Sequence, residues 1–105
     1  MKTIMVRYKT RPEHAEKNAA LVRAVYEELR TQAPAGLRYA TYLMPDGVSF
    51  VHLATHDNEP SLLTSLPAFK AFVEAIKERC VEPPVSSEVS VVGSYGHPPL
   101  AGNNP

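Results

Sequence analysis

The sequence contains no tryptophan, one cysteine and only five glycines among its 105 residues. The single cysteine, Cys80, excludes a disulfide bond within the chain. The 11 basic and 11 acidic residues balance, and the basic ones are scattered, which argues against nucleic acid or an anionic membrane as the main partner. No apolar run approaches the length of a membrane span, and the first residues lack the hydrophobic region of a signal peptide. These absences predict a cytoplasmic protein.

Strand and helix patterns alternate along most of the chain, which is long enough for one domain with a buried core. Strand patterns cover 2–10, 37–44, 48–56 and 88–95, and helical periodicity covers 12–33 and 65–80. This βαββαβ order predicts a ferredoxin-like α+β domain over residues 1–95, with an antiparallel sheet in the order 4-1-3-2 and both helices on one face. Residues 96–105, rich in Pro, Gly and Asn, are predicted to form a flexible tail.

The central hairpin sets the register of the two strands that it joins. Asp46-Gly47 favours a two-residue type I′ turn, which needs a positive φ at both residues. Around that turn Thr41 lies opposite His52, on the same face as Tyr39. We expect this face to meet the two helices.

The second helix and the last strand give two further structural expectations. Ser65 is a plausible N-cap for the second helix, because its hydroxyl can accept a hydrogen bond from a free backbone N–H. In the last predicted strand, the alternation of side chains assigns Val89, Val91 and Tyr95 to the helix side of the sheet.

The second face of the sheet is predicted to be mixed rather than polar. Where one face of a sheet is open to water, the residues on that face are expected to be polar or charged. An apolar patch of this size on a monomer usually marks an interface. We therefore expect a homodimer in which two copies pack sheet against sheet. The apolar residues assigned to this face are Met5, Ala40, Tyr42, Met44, Val51, Leu53 and Val92.

His52 is the candidate catalytic residue, since it lies on the inner face of a central strand among apolar neighbours. An imidazole there can act as a general base of lowered pKa or orient a substrate oxygen. Equally, it can be a neutral core histidine hydrogen-bonded to a Thr or Tyr hydroxyl. If a functional cavity exists, it should lie between the sheet and the helices. Its predicted ligand-binding residues are Tyr26, Tyr39, Phe50, Phe69 and Phe72.

Other chemistry finds little support in the sequence. His52 and His56 are four residues apart on a strand, too far to share a metal ion, so no metal site is predicted. His56 is expected to face solvent at the end of its strand. The segment from Gly47 partly matches an RNA-recognition signature, but Asp46 stands where that signature has a basic residue, which argues against RNA binding.

Several segments resemble the dimeric α+β barrel proteins, specifically small members like the antibiotic-biosynthesis-monooxygenase domain. The resemblance rests on MVRY at 5–8, LVRAVY at 21–26, GLRY at 36–39, DGVSFVH at 46–52 and LPAF at 66–69, and it covers nearly the whole chain except the tail. It implies a homodimer whose two sheets form a barrel, with a small-molecule cavity between sheet and helices in each subunit. Characterised members oxidise aromatic polyketides without a cofactor or degrade haem, and they use an Asn, a Trp and a Tyr or His in the cavity.

These observations predict a dimeric α+β barrel protein that binds a small aromatic or hydrophobic ligand. If it is an enzyme, the resemblance implies a cofactor-independent monooxygenase-like or isomerase-like activity, and no cofactor is predicted. The alternative is a non-catalytic binding or assembly module of the same fold. The four asparagines lie in the first helix, a loop and the tail, so none is predicted on a strand of the cavity.

Overall fold

The computed structural model describes residues 2–57 and 62–95, and the predicted tail at 96–105 lies outside this part of the chain. The strands are β1 (Lys2–Thr10), β2 (Leu37–Leu43), β3 (Ser49–His56) and β4 (Cys80–Val89). The helices are α1 (Ala15–Gln32), α2 (Pro67–Val73) and α3 (Ile76–Arg79), with short 3-10 turns at Pro12–His14 and Leu62–Ser65. The sheet is antiparallel in the order β2-β3-β1-β4, so the predicted ferredoxin-like class and strand order are confirmed.

Helix α1 and the 3-10 turn that precedes it together cover the predicted helical range 12–33 to within one residue. Pro12 opens the 3-10 turn before it, where its missing N–H costs nothing. The helix ends at Ala33, which adopts a left-handed conformation (φ 44°) and donates its N–H to the carbonyl of Leu29 at 2.7 Å. Its buried residues are Asn18, Val22 and Val25, at helical spacing.

The hairpin between β2 and β3 has the predicted register but a different turn. Thr41 pairs with His52, as expected. The loop has four residues, because Met44 donates its N–H to the carbonyl of Ser49 at 2.8 Å, and only Gly47 has a positive φ (77°). The type I′ prediction is therefore wrong. The carboxylate of Asp46 closes the loop instead, accepting hydrogen bonds from the hydroxyl and N–H of Ser49, which together lower the pKa of Asp46.

Gly47 gives a first test of this loop. A Cβ at this position would meet nothing within 4 Å, so the cost of Gly47→Ala comes only from forcing a side chain into the positive-φ conformation. We expect a loss of about 1 kcal/mol in the free energy of unfolding, measured by urea denaturation. Gly93→Ala is the matched control, because Gly93 also has open space around it but no positive φ, and it should change nothing. Equal effects of the two substitutions would contradict the assignment of strain to Gly47.

The second predicted helix is broken in two. Its first part starts after Leu66, which has extended backbone, so the predicted Ser65 N-cap is wrong; the hydroxyl of Ser65 donates to the carbonyl of Leu62 at 2.8 Å. Ala75 adopts a left-handed conformation (φ 60°), which separates α2 from α3. The guanidinium of Arg79 donates to carbonyl oxygens at the end of α2, where a cation is favoured by the helix dipole.

The last strand differs most from the prediction, since it runs over residues 80–89 rather than 88–95. The strand contains Pro83 and Pro84, which are tolerated because β4 is an edge strand. The two prolines also lie where the register shifts between Arg7 and Lys9, in a bulge that leaves one residue of β1 facing two of β4.

The assignment of Val89, Val91 and Tyr95 to the helix side was also wrong. Val89 pairs with Thr3 on the opposite face of the sheet, and Val91 and Tyr95 lie beyond the strand. Val92, which was expected on the outer face, is fully exposed outside the sheet as well. The assignment failed because the more apolar of the two alternating sets was taken to face the helices, whereas pairing with Ile4 and Val6 places Glu88 and Ser86 on that side.

The core lies between the inner face of the sheet and the helices. Its buried apolar residues are Tyr8, Val22, Val25, Phe50, Leu63, Leu66, Phe72 and Cys80. The outer face carries Met5, Val51 and Leu53 half-buried, and Val85 is 60% exposed. In residues 2–57 and 62–95, no helix is long and apolar enough to cross a bilayer.

Candidate functional site

A partly enclosed cavity of about 400 Å³ lies between the inner face of the sheet and the α2–α3 segment. Its walls are aromatic and aliphatic, with a few hydroxyl and imidazole groups, and none of its described lining residues is acidic, Lys or Arg. The lining residues from the sheet are Ile4, Val6, Tyr8, Tyr39, His52, Ala54, His56, Pro84 and Ser86. Those from the helical side are Leu63, Thr64, Phe69, Phe72, Val73 and Ile76.

Four of the six residues singled out from the sequence line this cavity: His52, Tyr39, Phe69 and Phe72. The other two do not. Phe50 is buried in the core, where its ring stacks on Tyr8 with centroids 5.4 Å apart. Tyr26 stacks on the far side of Tyr39 at 5.1 Å and lines a separate hollow at the end of α1.

His52 is held at both ring nitrogens. Its Nε2 is 2.8 Å from the hydroxyl of Tyr8, and its Nδ1 is 2.8 Å from the hydroxyl of Tyr39 and 2.9 Å from Oγ1 of Thr41. The ring is only 3% exposed, and this burial lowers the pKa of His52 from 6.5 to about 4. The imidazole is therefore neutral near pH 7.

Aromatic rings surround the imidazole and complete the wall. Tyr8 and Tyr39 stack against His52 with centroids 5.3 and 5.8 Å away, and the tilted ring of Phe72 lies at 5.3 Å. Burial raises the pKa of Tyr8 and Tyr39 well above the ordinary value of 10.0. Both phenols therefore keep their hydrogens, and each can act as a hydrogen-bond donor.

A buried polar chain leads from the cavity wall into the core. The amide nitrogen of Asn18 donates to the hydroxyl of Tyr8 at 2.8 Å, and Nε of Arg79 donates to the amide oxygen of Asn18 at 3.1 Å. At the other end of the chain, the hydroxyl of Tyr26 lies 2.8 Å from Oγ1 of Thr41. Sequence reasoning gave neither Asn18 nor Arg79 a role at the site.

His56 was expected to face solvent, and this was wrong. It is the last residue of β3, it is 8% exposed, and it lines the cavity with His52. The reason is geometric: His56 pairs with Lys2 and with Leu37, so a strand flanks it on each side.

The residues described do not assemble a metal site. Within 2–57 and 62–95 there is no group of three or more His, Cys, Asp or Glu side chains placed to hold an ion. Cys80, the last residue of the predicted helical range 65–80, begins β4 instead, and burial raises the pKa of its thiol, which disfavours the reactive thiolate.

No protein-family model matches the chain, and no curated protein matches it in sequence. Solved structures do match in shape. The Rv0793 protein of Mycobacterium tuberculosis superimposes with a TM-score of 0.72 at 20% identity, over 89% of this chain and 96% of that one. An antibiotic biosynthesis monooxygenase matches with a TM-score of 0.73 at 19% identity, over 89% of this chain and all of that one.

A third structure is that of a mutant of SnoaB, a cofactor-independent oxygenase from Streptomyces nogalater. It matches with a TM-score of 0.60 at 15% identity, over 91% of this chain and 97% of that one. At these identities the likeness concerns the course of the backbone rather than individual side chains. The chain therefore has the ferredoxin-like α+β fold of the antibiotic biosynthesis monooxygenase structures.

Proposed function

We propose that this protein binds a neutral, flat aromatic molecule that carries a hydroxyl or carbonyl oxygen. The observation that carries the proposal is the cavity, whose apolar walls meet the hydroxyl of Tyr39 and the imidazole of His52. A volume of about 400 Å³ falls in the range typical of ligand pockets, about 300–1,000 Å³.

The lining also supports a neutral ligand rather than an anion. None of the described cavity residues is Lys or Arg, and His52 is itself neutral near pH 7 because its pKa is lowered. A carboxylate buried here would lose its hydration without gaining a paired cation. A single hydroxyl or carbonyl, in contrast, can share a hydrogen bond with the cavity wall.

We propose further that the chain is a cofactor-independent monooxygenase-like enzyme, as the SnoaB likeness suggests. In such a reaction an activated methylene of the ligand becomes a carbonyl: molecular oxygen supplies the new oxygen atom, and its second atom leaves as water with the two hydrogens. The methylene would first lose a proton to water, and a hydrogen bond from Tyr39 to the ligand carbonyl would stabilise the enolate that forms and then reacts with oxygen. His52 would act by orienting the hydroxyl of Tyr39, with which its Nδ1 shares a hydrogen bond.

The non-catalytic alternative has an observation in its favour. Both nitrogens of His52 are already hydrogen-bonded, so neither is free to accept a proton from a ligand without losing a partner. The two versions differ in oxygen uptake. With anthrone, a three-ring ketone with an activated methylene, the enzyme version predicts oxygen consumption and anthraquinone formation above the rate without protein. Binding without any uptake would support a binding module.

The outer sheet face supports a homodimer as part of the proposal. In the described part of the chain, α1, α2 and α3 all lie on the inner side of the sheet, and the outer side carries Met5, Val51 and Leu53 half-buried. A second copy of the chain would cover this face, since the same apolar patch on each copy is complementary to itself.

A series of three matched probes tests the ligand class. We expect 2-naphthol to bind more tightly than naphthalene by about tenfold, because only the phenol can form a hydrogen bond at the wall. Charged 2-naphthoate should not bind measurably. Isothermal titration calorimetry gives all three affinities. Tighter binding of the carboxylate than of the phenol would overturn the proposed ligand class.

A cavity-filling substitution tests the location. Ala54 lines the cavity on the inner face of β3, so Ala54→Phe should occupy the ligand volume and reduce 2-naphthol affinity by at least about tenfold. Ala24→Phe places the same side chain at an exposed position of α1 and should leave binding unchanged. Circular dichroism checks that both variants fold. Unchanged binding in a folded Ala54→Phe protein would place the ligand elsewhere.

A further inference from the structure

In the polar chain behind the cavity, the donor and acceptor of each hydrogen bond can be assigned in turn, starting from Arg79. A guanidinium can only donate hydrogen bonds, so the atom of Asn18 that faces Nε of Arg79 must be the amide oxygen. The amide nitrogen of Asn18 is then the atom that faces the hydroxyl of Tyr8, and it can only donate. Arg79 therefore settles the orientation of an amide that would otherwise be ambiguous.

The same argument passes through Tyr8 to His52. The hydroxyl of Tyr8 accepts from Asn18, and its own single hydrogen needs an acceptor. Among the residues that the structure describes, the acceptor within reach is Nε2 of His52 at 2.8 Å. Nε2 must then carry no hydrogen, so the hydrogen of the neutral ring sits on Nδ1. From Nδ1 it is donated to the hydroxyl of Tyr39 or to Oγ1 of Thr41.

We infer that Arg79 and Asn18 are positioning residues that fix His52 as its Nδ1–H tautomer, so that every hydrogen bond from Arg79 to the cavity wall points toward Tyr39 and Thr41. Burial supports this, since Asn18 is fully buried and Arg79 is 5% exposed. Three neutral oxygens accept from Arg79, two of them carbonyls at the end of α2, which hold the guanidinium in place.

The tautomer has a consequence for the ligand, and this part rests on the proposed function. When Tyr39 or Thr41 accepts a hydrogen bond from Nδ1 of His52, the hydroxyl of Tyr39 does not have to donate its own hydrogen to the imidazole. That hydrogen is available to an oxygen atom of a molecule in the cavity, which Tyr39 lines. With the opposite tautomer, Nδ1 would need a donor, and Tyr39 or Thr41 would have to supply it.

Asn18→Asp is the test, because it preserves shape and reverses one hydrogen bond. The new carboxylate still accepts from Arg79, but toward Tyr8 it can only accept. Tyr8 must then donate to position 18 and accept from His52, so Nε2 gains a hydrogen. Gln32→Glu is the matched control, since it makes the same amide-to-carboxylate change at an exposed position of α1.

Nitrogen-15 NMR of the histidine side chains reads the protonation state of each ring nitrogen in the ligand-free protein. At about pH 8, above the ordinary histidine pKa, the wild type and Gln32→Glu should show Nδ1 protonated and Nε2 bare. Asn18→Asp should show Nε2 protonated. A wild-type protein with hydrogen on Nε2 would overturn the inference even if the variant fails to fold. A folded Asn18→Asp protein that keeps Nε2 bare would overturn it too.

A second readout separates this inference from the proposed function. In Asn18→Asp, the affinity for 2-naphthol should fall about tenfold while that for naphthalene stays unchanged. A tautomer switch without any 2-naphthol binding to the wild type would leave the positioning role standing and refute the proposed ligand. Binding of 2-naphthol to the wild type without a tautomer switch in Asn18→Asp would support the proposed ligand and refute the positioning role.

Discussion

Leu53→Asp is expected to convert the proposed homodimer into a folded monomer. Leu53 lies on the outer face of the central strand β3, next to Met5 of β1 and Ala40 of β2. In a dimer joined through this face, a carboxylate at this position would lose its hydration in each subunit, at a cost of about 3 kcal/mol per subunit. In an isolated subunit it would reach water.

Light scattering coupled to gel filtration measures the change, and circular dichroism checks the fold. Ala24→Asp adds the same charge at an exposed position of α1 and should remain dimeric. A wild-type protein that is monomeric at micromolar concentration would refute the dimer directly.

The stability of the fold should fall steeply in acid because of His52. Burial lowers the pKa of His52 from 6.5 in the unfolded chain to about 4 in the folded one. Between these values the unfolded state binds more protons than the folded state, so stability is present above pH 6.5 and is lost as the pH falls toward 4. At about pH 4.5 the loss from this residue alone amounts to about 2 kcal/mol relative to about pH 7.

Urea denaturation at these two pH values gives the loss, and a variant isolates the contribution of His52. His52→Phe keeps a ring of similar shape but removes the titrating nitrogens, so its stability should change less between the two pH values than that of the wild type. His14→Gln removes a histidine outside the core and should retain the full acid sensitivity. Equal acid sensitivity in the wild type and His52→Phe would contradict a buried neutral His52.

The sequence predicted the fold well wherever a local pattern decides it. The alternation in β2 and β3 and the helical spacing of α1 depend on the side chains of single segments. The position of β4 does not, because a strand can contain Pro83 and Pro84 only at the edge of the sheet, where the pairing with β1 has a bulge that accommodates them. Likewise, the break at Ala75 has no sequence signature comparable to a glycine.

The candidate site was predictable only on the sheet side. The register of β2 and β3 alone placed His52 beside Thr41 and Tyr39, because the position of the hairpin turn fixes which residues of the two strands lie opposite each other. Asn18 did leave a signal: it is four residues before Val22 and seven before Val25, so it lies on the buried face of α1 and must find a polar partner. Arg79 left none, because its burial follows from the way the chain folds back between α2 and β4.

The central claim is that the cavity beside His52 holds the aromatic ligand, and intermolecular nuclear Overhauser effects test it most directly. With 2-naphthol at saturating concentration, the ring protons of the ligand should show contacts to the methyl groups of Ala54 and Ile76, which line the cavity. The methyl groups of Val25, buried in the core away from it, should show none. Contacts confined to Val51 and Leu53 on the outer face, or none at all at saturation, would contradict the account.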